Sequence, residues 1–124
     1  MKEGTVILLV DDEEDVRYVL SQTLKKAGIY IVEAANGLEA LEYLENNSLP
    51  SLIVTDVSMP KMNGWRLIAS LKKKSELRNI PIIISSGEYN IDDMAAALEM
   101  YCFQKGKEKP DDLLKIVEKV FNET

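Results

Sequence analysis

The sequence contains no histidine in 124 residues. That absence removes histidine-based triads, histidine general bases and ordinary histidine-containing zinc sites. Any metal held here is held by oxygen, which points to magnesium or calcium. Cysteine is nearly missing as well. Cys102 stands alone, so no intrachain disulfide can form, and the chain suits a reducing cytoplasm. Positive charge is in deficit: 15 Lys and Arg against 21 Asp and Glu give a net charge of -6, which argues against a broad nucleic-acid-binding surface. No apolar run is long enough to span a bilayer and no signal-peptide pattern opens the chain, so no membrane partner is expected. Repeats, low-complexity tracts and linkers are also absent. What remains is ordinary globular composition, 46% hydrophobic and 29% charged, over a length that suits one domain at 1-124 and not two.

The most informative stretch is Ser51 to Pro60. Leu52-Ile53-Val54 is continuously apolar and rich in β-branched residues, as expected of a central strand covered on both faces. The run stops at Asp56, and Met59-Pro60 and Asn63-Gly64 supply turn chemistry. Around it the same grammar repeats. Val6-Val10 reads as a first strand ending on Asp11-Asp12-Glu13, and Ile29-Ala34 as a second, ended by Asn36-Gly37. Ile80-Ile84 reads as a fourth, ending in Ser85-Ser86-Gly87, and Tyr101-Gln104 as a weaker fifth, ending at Lys105-Gly106.

Helical spacing fills the gaps. Val16, Val19, Leu20, Leu24 and Ala27 mark the first helix, with Gly28 as its cap. Leu38, Leu41 and Leu44 mark the second, and Leu67, Ile68 and Leu71 the third, with Lys72-Lys74 as its solvated end. Ile91, Met94, Ala95 and Leu98 mark the fourth. Leu113, Ile116, Val117, Val120 and Phe121 mark a fifth, opened by Pro110 in its first turn.

Five strands alternating with five helices imply an α/β fold: a three-layer α/β/α sandwich around a parallel sheet. The flavodoxin-like order 2-1-3-4-5 makes strands 1 and 3 neighbours. The polar residues then gather at the C-terminal strand ends, where open α/β sheets place their ligands. Neighbouring strands lie about 4.8 Å apart, so Asp11, Asp12 and Asp56 can share one ion; crowded carboxylates repel unless a cation lies between them. Magnesium suits that set and leaves room for phosphate oxygens. Ser86 lies one strand from Asp56. Lys105 lies two strands away, roughly 10 Å, a span that needs a long side chain.

At these positions the chain resembles the response-regulator receiver domain of bacterial two-component signalling. Val10-Asp11-Asp12-Glu13, the stretch Asp56 to Gly64, Pro81 to Gly87, and Lys105 carry the resemblance, which covers nearly the whole chain. It implies that Asp56 accepts a phosphoryl group, and that Asp12, Asp11 and the backbone carbonyl of Ser58 join Asp56 around magnesium, or manganese in its place. It implies that Ser86 is the switching hydroxyl, Gly87 the small residue that admits phosphate, and Lys105 the site lysine. Glu88 stands where the family tunes hydrolysis of the acyl phosphate. The donor would be a sensor histidine kinase, a histidine phosphotransfer protein or a small phosphodonor. The implied role is a phosphorylation-controlled switch acting on a downstream protein target, with no catalysis beyond its own phosphorylation and dephosphorylation.

The fifth strand departs from the family pattern. Lys-Pro is usual there; here Gly106 follows Lys105, and a Lys-Pro pair appears only at Lys109-Pro110. Lys105 is favoured because Cys102-Phe103 runs straight into it, with Pro110 as a helix-opening proline. The aromatic often found on this strand is replaced by Cys102, and the short segment between Ser86 and Lys105 calls for a trimmed fourth helix or loop. Trp65 and Tyr89 flank the site, for partners or for packing. Two rivals stand beside the switch. Phosphohydrolases of the haloacid dehalogenase type want a second acid where Ser58 stands, and a degenerate receiver would serve only as a docking module. No output domain is expected after the last helix.

Overall fold

The computed structural model describes residues 4–88 and 91–123. Ten elements alternate: β1 (Val6–Val10), α1 (Glu14–Lys25), β2 (Tyr30–Ala34), α2 (Gly37–Asn46), β3 (Leu52–Asp56), α3 (Gly64–Lys72), β4 (Ile82–Ser86), α4 (Ile91–Ala97), β5 (Tyr101–Gln104) and α5 (Pro110–Glu123). The strands form one parallel sheet in the order β2-β1-β3-β4-β5, as the sequence predicts.

β3 is buried along its whole length because both of its faces are covered. Alternation along the strands feeds two separate apolar clusters. Leu8, Val10, Ile53, Ile82 and Ile84 pack with α2 and α3 through Ala40, Leu44, Leu67 and Leu71. Ile7, Leu9, Leu52, Val54, Ile83 and Phe103 pack on the other face with α1 and α5 through Leu20, Leu24, Leu113 and Val117. Each such buried Leu, Ile, Val or Phe contributes about 1.5–3 kcal/mol relative to an exposed one. This period-2 division decides which side of the sheet each strand-end residue faces.

Local chemistry sets the helix ends. The Asn36 side chain caps α2 by accepting the Glu39 N–H at 3.0 Å, while Glu39 Oε1 takes the Ala35 N–H at 3.1 Å. Asn63 caps α3 through the Arg66 N–H at 3.0 Å. Gly28 ends the turn after α1 at φ 84, a left-handed conformation natural to glycine. Pro110 opens α5, as its sequence position predicts, and Asp112 holds the Lys109 N–H at 2.8 Å.

Some expectations need correction. β4 ends on Ser86 as the sequence predicts but starts at Ile82 and not at Ile80: Pro81 has no N–H to give a ladder, and Ile80 is turned back to bond Leu77. The fourth helix is short, as the trimmed segment predicts, but it ends before Leu98, with Glu99 at φ 55 closing it; Met94 and Leu98 are exposed and do not join the core. Val19 and Leu38 keep their helical positions but are also exposed, on the outer shoulder of each apolar stripe. Trp65 and Cys102 are half-buried and pack against the α2–α3 cluster. Tyr89 lies outside the described residues.

Candidate functional site

The site is built where the sheet's alternation runs past the apolar core. Asp11 directly follows β1 and continues the parity of Ile7 and Leu9. Asp56 ends β3 and continues Leu52 and Val54; Lys105 directly follows β5 and continues Phe103. All three therefore face the α1–α5 side, at the C-terminal edge of the sheet. Asp11 is 1% exposed and Asp56 4%.

Lys105 spans from β5 over these acids. Its Nζ lies 3.0 Å from Asp56 Oδ2, 3.0 Å from Asp11 Oδ2 and 3.1 Å from Glu13 Oε1. The other oxygen of each buried acid is held by backbone. Asp56 Oδ1 accepts the N–H groups of Val57 at 2.7 Å and Ser58 at 3.2 Å, and Asp11 Oδ1 accepts the Glu13 N–H at 2.9 Å. Burial pulls the Lys105 ammonium toward losing its proton. Hydrogen bonds to Asp56 and Asp11, and their charges, outweigh it and raise the pKa above that of a free lysine. Burial is the main cause that raises the Asp11 carboxyl, opposed by the Glu13 N–H and Lys105.

Asp12 and Glu13 complete the cluster. One oxygen from each of Asp11, Asp12, Glu13 and Asp56 lies within 4.8 Å of all the others. Four acidic side chains gather around one ammonium, in a set whose donors are all oxygen. That chemistry fits a hard divalent cation of the magnesium type. Beside the cluster opens a cleft of about 550 Å³, lined by Asp12, Asp56, Ser58, Ser86, Gly87 and Lys105 among others. Ser86 is 1% exposed; its Oγ accepts the Glu88 N–H at 3.0 Å, and its carbonyl accepts the Lys105 N–H at 2.9 Å.

Every site residue singled out from sequence thus lies at this edge. The structure brings Lys105 to Asp56, whereas Lys109 is exposed at the start of α5. Two residues have roles that the sequence does not assign. Glu13, named there only as part of the acidic run, shares Lys105 and joins the acidic cluster. Arg17, one turn along α1, donates from Nη1 to the Asp11 carbonyl at 2.6 Å and from Nε to Glu33 at 3.0 Å. The spacing of Glu13 and Arg17 by four residues is the signal that points to a shared helix face.

The sequence model described as response regulator receiver domain matches residues 7–118. The chain belongs to that family. Response regulator Rcp1 of Synechocystis is 30% identical over 123 residues, covering 91% of this chain and 84% of Rcp1. Its Mn2+-bound form superimposes with a TM-score of 0.75 at 28% identity, covering 94% of this chain and 91% of that one. Chemotaxis protein CheY4 of Vibrio cholerae gives a TM-score of 0.81 at 28% identity, over 94% of this chain and 98% of CheY4. TrrA of Thermotoga maritima, solved in complex with Mg2+-BeF, gives 0.79 at 26% identity, over 94% and 98%. Other relatives are far longer: the chain spans 12% of the sensor histidine kinase CheAY of Helicobacter pylori and 52% of response regulator Rre1 of Synechocystis. Receiver domains are signalling switches that work with histidine kinases and downstream targets. Among the described residues, no helix of this receiver domain is long and apolar enough to cross a membrane.

Proposed function

We propose that residues 1–124 form one receiver unit that takes a phosphoryl group onto Asp56, acts in the cytoplasm on a protein target and resets by hydrolysis. The observation that carries this reading is the Asp56 carboxylate itself: buried at the end of β3, gripped at both oxygens, and open to the cleft it lines.

An Asp56 oxygen attacks the phosphorus of a phosphohistidine, or of a small phosphodonor such as acetyl phosphate. The new O–P bond forms as the bond from phosphorus to imidazole nitrogen or acyl oxygen breaks. The leaving group departs with the electron pair, and the imidazole keeps its remaining proton. Asp56 needs no general base, because a carboxylate is already a nucleophile; what this chain adds is position and charge. The Val57 and Ser58 N–H groups fix the rotation of the carboxylate. Lys105 stands ready to balance the phosphoryl charge, and Ser86 offers a hydroxyl from β4 once it leaves the Glu88 N–H. Asp11, Asp12 and Asp56, with the Ser58 carbonyl, would hold magnesium or manganese. When bound, that cation offsets the acidic cluster and the incoming phosphoryl oxygens. The metal-bound state of TrrA and Rcp1 supports this assignment.

Intact-protein mass after incubation with phosphoramidate or acetyl phosphate tests the reading. A gain of one phosphoryl is expected with magnesium, stripped by alkali and missing in Asp56→Asn. No gain in the folded wild-type protein overturns it and leaves a docking module.

A further inference from the structure

Lys105 is followed by Gly106, at φ 85 and with open space where a Cβ would stand, so Gly106 itself adds no steric restraint on the lysine's C-terminal side. β5 is moreover an edge strand. The Lys105 N–H bonds inward to Ser86 on β4, so the preceding Gln104 N–H points to the open edge.

That edge is closed from within the chain. Glu108 places Oε1 2.9 Å from the Gln104 N–H, and its own N–H returns to the Gln104 carbonyl at 2.9 Å. The Lys107 N–H reaches the same carbonyl at 3.2 Å, and a β-bridge links Lys105 to Glu108. Gln104 and Glu108 thus clamp each other around the intervening lysine and glycine. The carboxylate makes the first of these bonds charge-assisted, and Glu108 is only partly exposed, which limits competition from water.

We infer that Glu108 is a positioning residue for Lys105: by closing the Gln104–Glu108 loop it holds the lysine on the line to Asp56. The inference rests on the assignment of Lys105 to phosphoryl transfer made above. It predicts a cost of displacement, not of charge. The Lys105 side chain spans two strands to reach Asp56, so a small tilt at its base moves Nζ out of hydrogen-bond range.

The test is a double-mutant cycle on the magnesium-dependent rate of phosphorylation by phosphoramidate, read by intact mass. Lys105→Ala is expected to slow the reaction, Glu108→Ala to slow it about tenfold, and Glu108→Gln, which keeps an acceptor oxygen, to restore most of the rate. In the Lys105→Ala background, Glu108→Ala should cost nothing further. Amide hydrogen exchange should quicken at Gln104 in Glu108→Ala. Wild-type rate in Glu108→Ala, or an equal loss with and without Lys105, overturns the inference. Wild-type rate in Lys105→Ala instead overturns the lysine assignment beneath it. Far-UV circular dichroism checks folding; should the alanine variant not fold, Glu108→Asp, whose carboxylate is one methylene short, replaces it, and wild-type rate there overturns the inference.

Discussion

Gly64 and Asp56 occupy one closed space. A Cβ on Gly64 would fall inside the Asp56 backbone carbonyl and press on the Val57 α-carbon at 2.8 Å. The Gly64 N–H also bonds the Val57 carbonyl at 3.1 Å. The first turn of α3 is thereby seated directly against the end of the strand that carries the carboxylate. Backbone cannot retreat as a flexible side chain can. Gly64→Ala should therefore destabilise the protein by about 1–3 kcal/mol, the range for forced overpacking. Urea denaturation would show a lowered midpoint with an unchanged slope.

Lys105 gives its charge to two buried acids, so its loss leaves both unpaired. Lys105→Ala should cost about 3 kcal/mol in metal-free buffer. Magnesium should then stabilise the variant more than the wild type, because the added cation meets an acidic cluster with no internal counter-charge. Thermal melts of both proteins with EDTA and with millimolar magnesium measure the difference. Equal magnesium shifts would contradict it.

Cys102 is raised above the ordinary thiol range, by burial first and then by the charges of Glu108 and Asp92. The native state therefore holds its thiol proton to higher pH than the unfolded chain. The stability tied to that proton is complete below the unfolded pKa and is lost as pH climbs through the folded one. Iodoacetamide alkylation against pH should show a later midpoint for native protein than for protein in urea. Glu108→Gln should bring the native midpoint down part of the way, since burial and Asp92 remain.

Ser85 is paired in register with Asp56 and is 1% exposed, yet its Oγ has no hydrogen-bond partner among the described residues. A buried hydroxyl without a partner costs about 1–3 kcal/mol. Ser85→Ala removes that oxygen and little else, so it should stabilise the fold by about 1 kcal/mol. A rise in urea midpoint checks it; a fall would mean that the hydroxyl is satisfied in solution.

The fold was legible wherever burial on both faces forced an unbroken apolar run, as in Leu52-Ile53-Val54, and wherever turn residues punctuated it, as at Asn36-Gly37 and Asn63-Gly64. Only the start of β4 was placed two residues early, because hydrophobicity begins at Ile80, whereas Pro81 offers the sheet a carbonyl (to the Ile53 N–H at 3.0 Å) and no N–H. Met94 and Leu98 fit a helical spacing, but spacing does not say how far an element continues or which apolar residues find a neighbour. The positions of Asp11, Asp12, Asp56, Ser86 and Lys105 followed from the rule that parallel strands deliver their last residues to one edge. The roles of Glu13 and Arg17 were missed because their partners, Lys105 and the Asp11 carbonyl, come from the first and fifth strands' ends. Such meetings depend on register, which the sequence of one segment does not carry. The Glu108 clamp escaped for the same reason: an acid four residues from Gln104 announces nothing until the edge of β5 is known to be bare.

The sheet separates two apolar compartments, and the strand-end residues do not all belong to the same one. Lys105 extends the row of Phe103, which touches the α1–α5 packing, whereas Ser86 extends the row of Ile82 and Ile84, which touches the α2–α3 packing. On the proposed function, a phosphoryl group on Asp56 would therefore draw on two levers anchored in opposite halves of the molecule. A protein target gripping either flank would then meet the same event from its own side of the sheet.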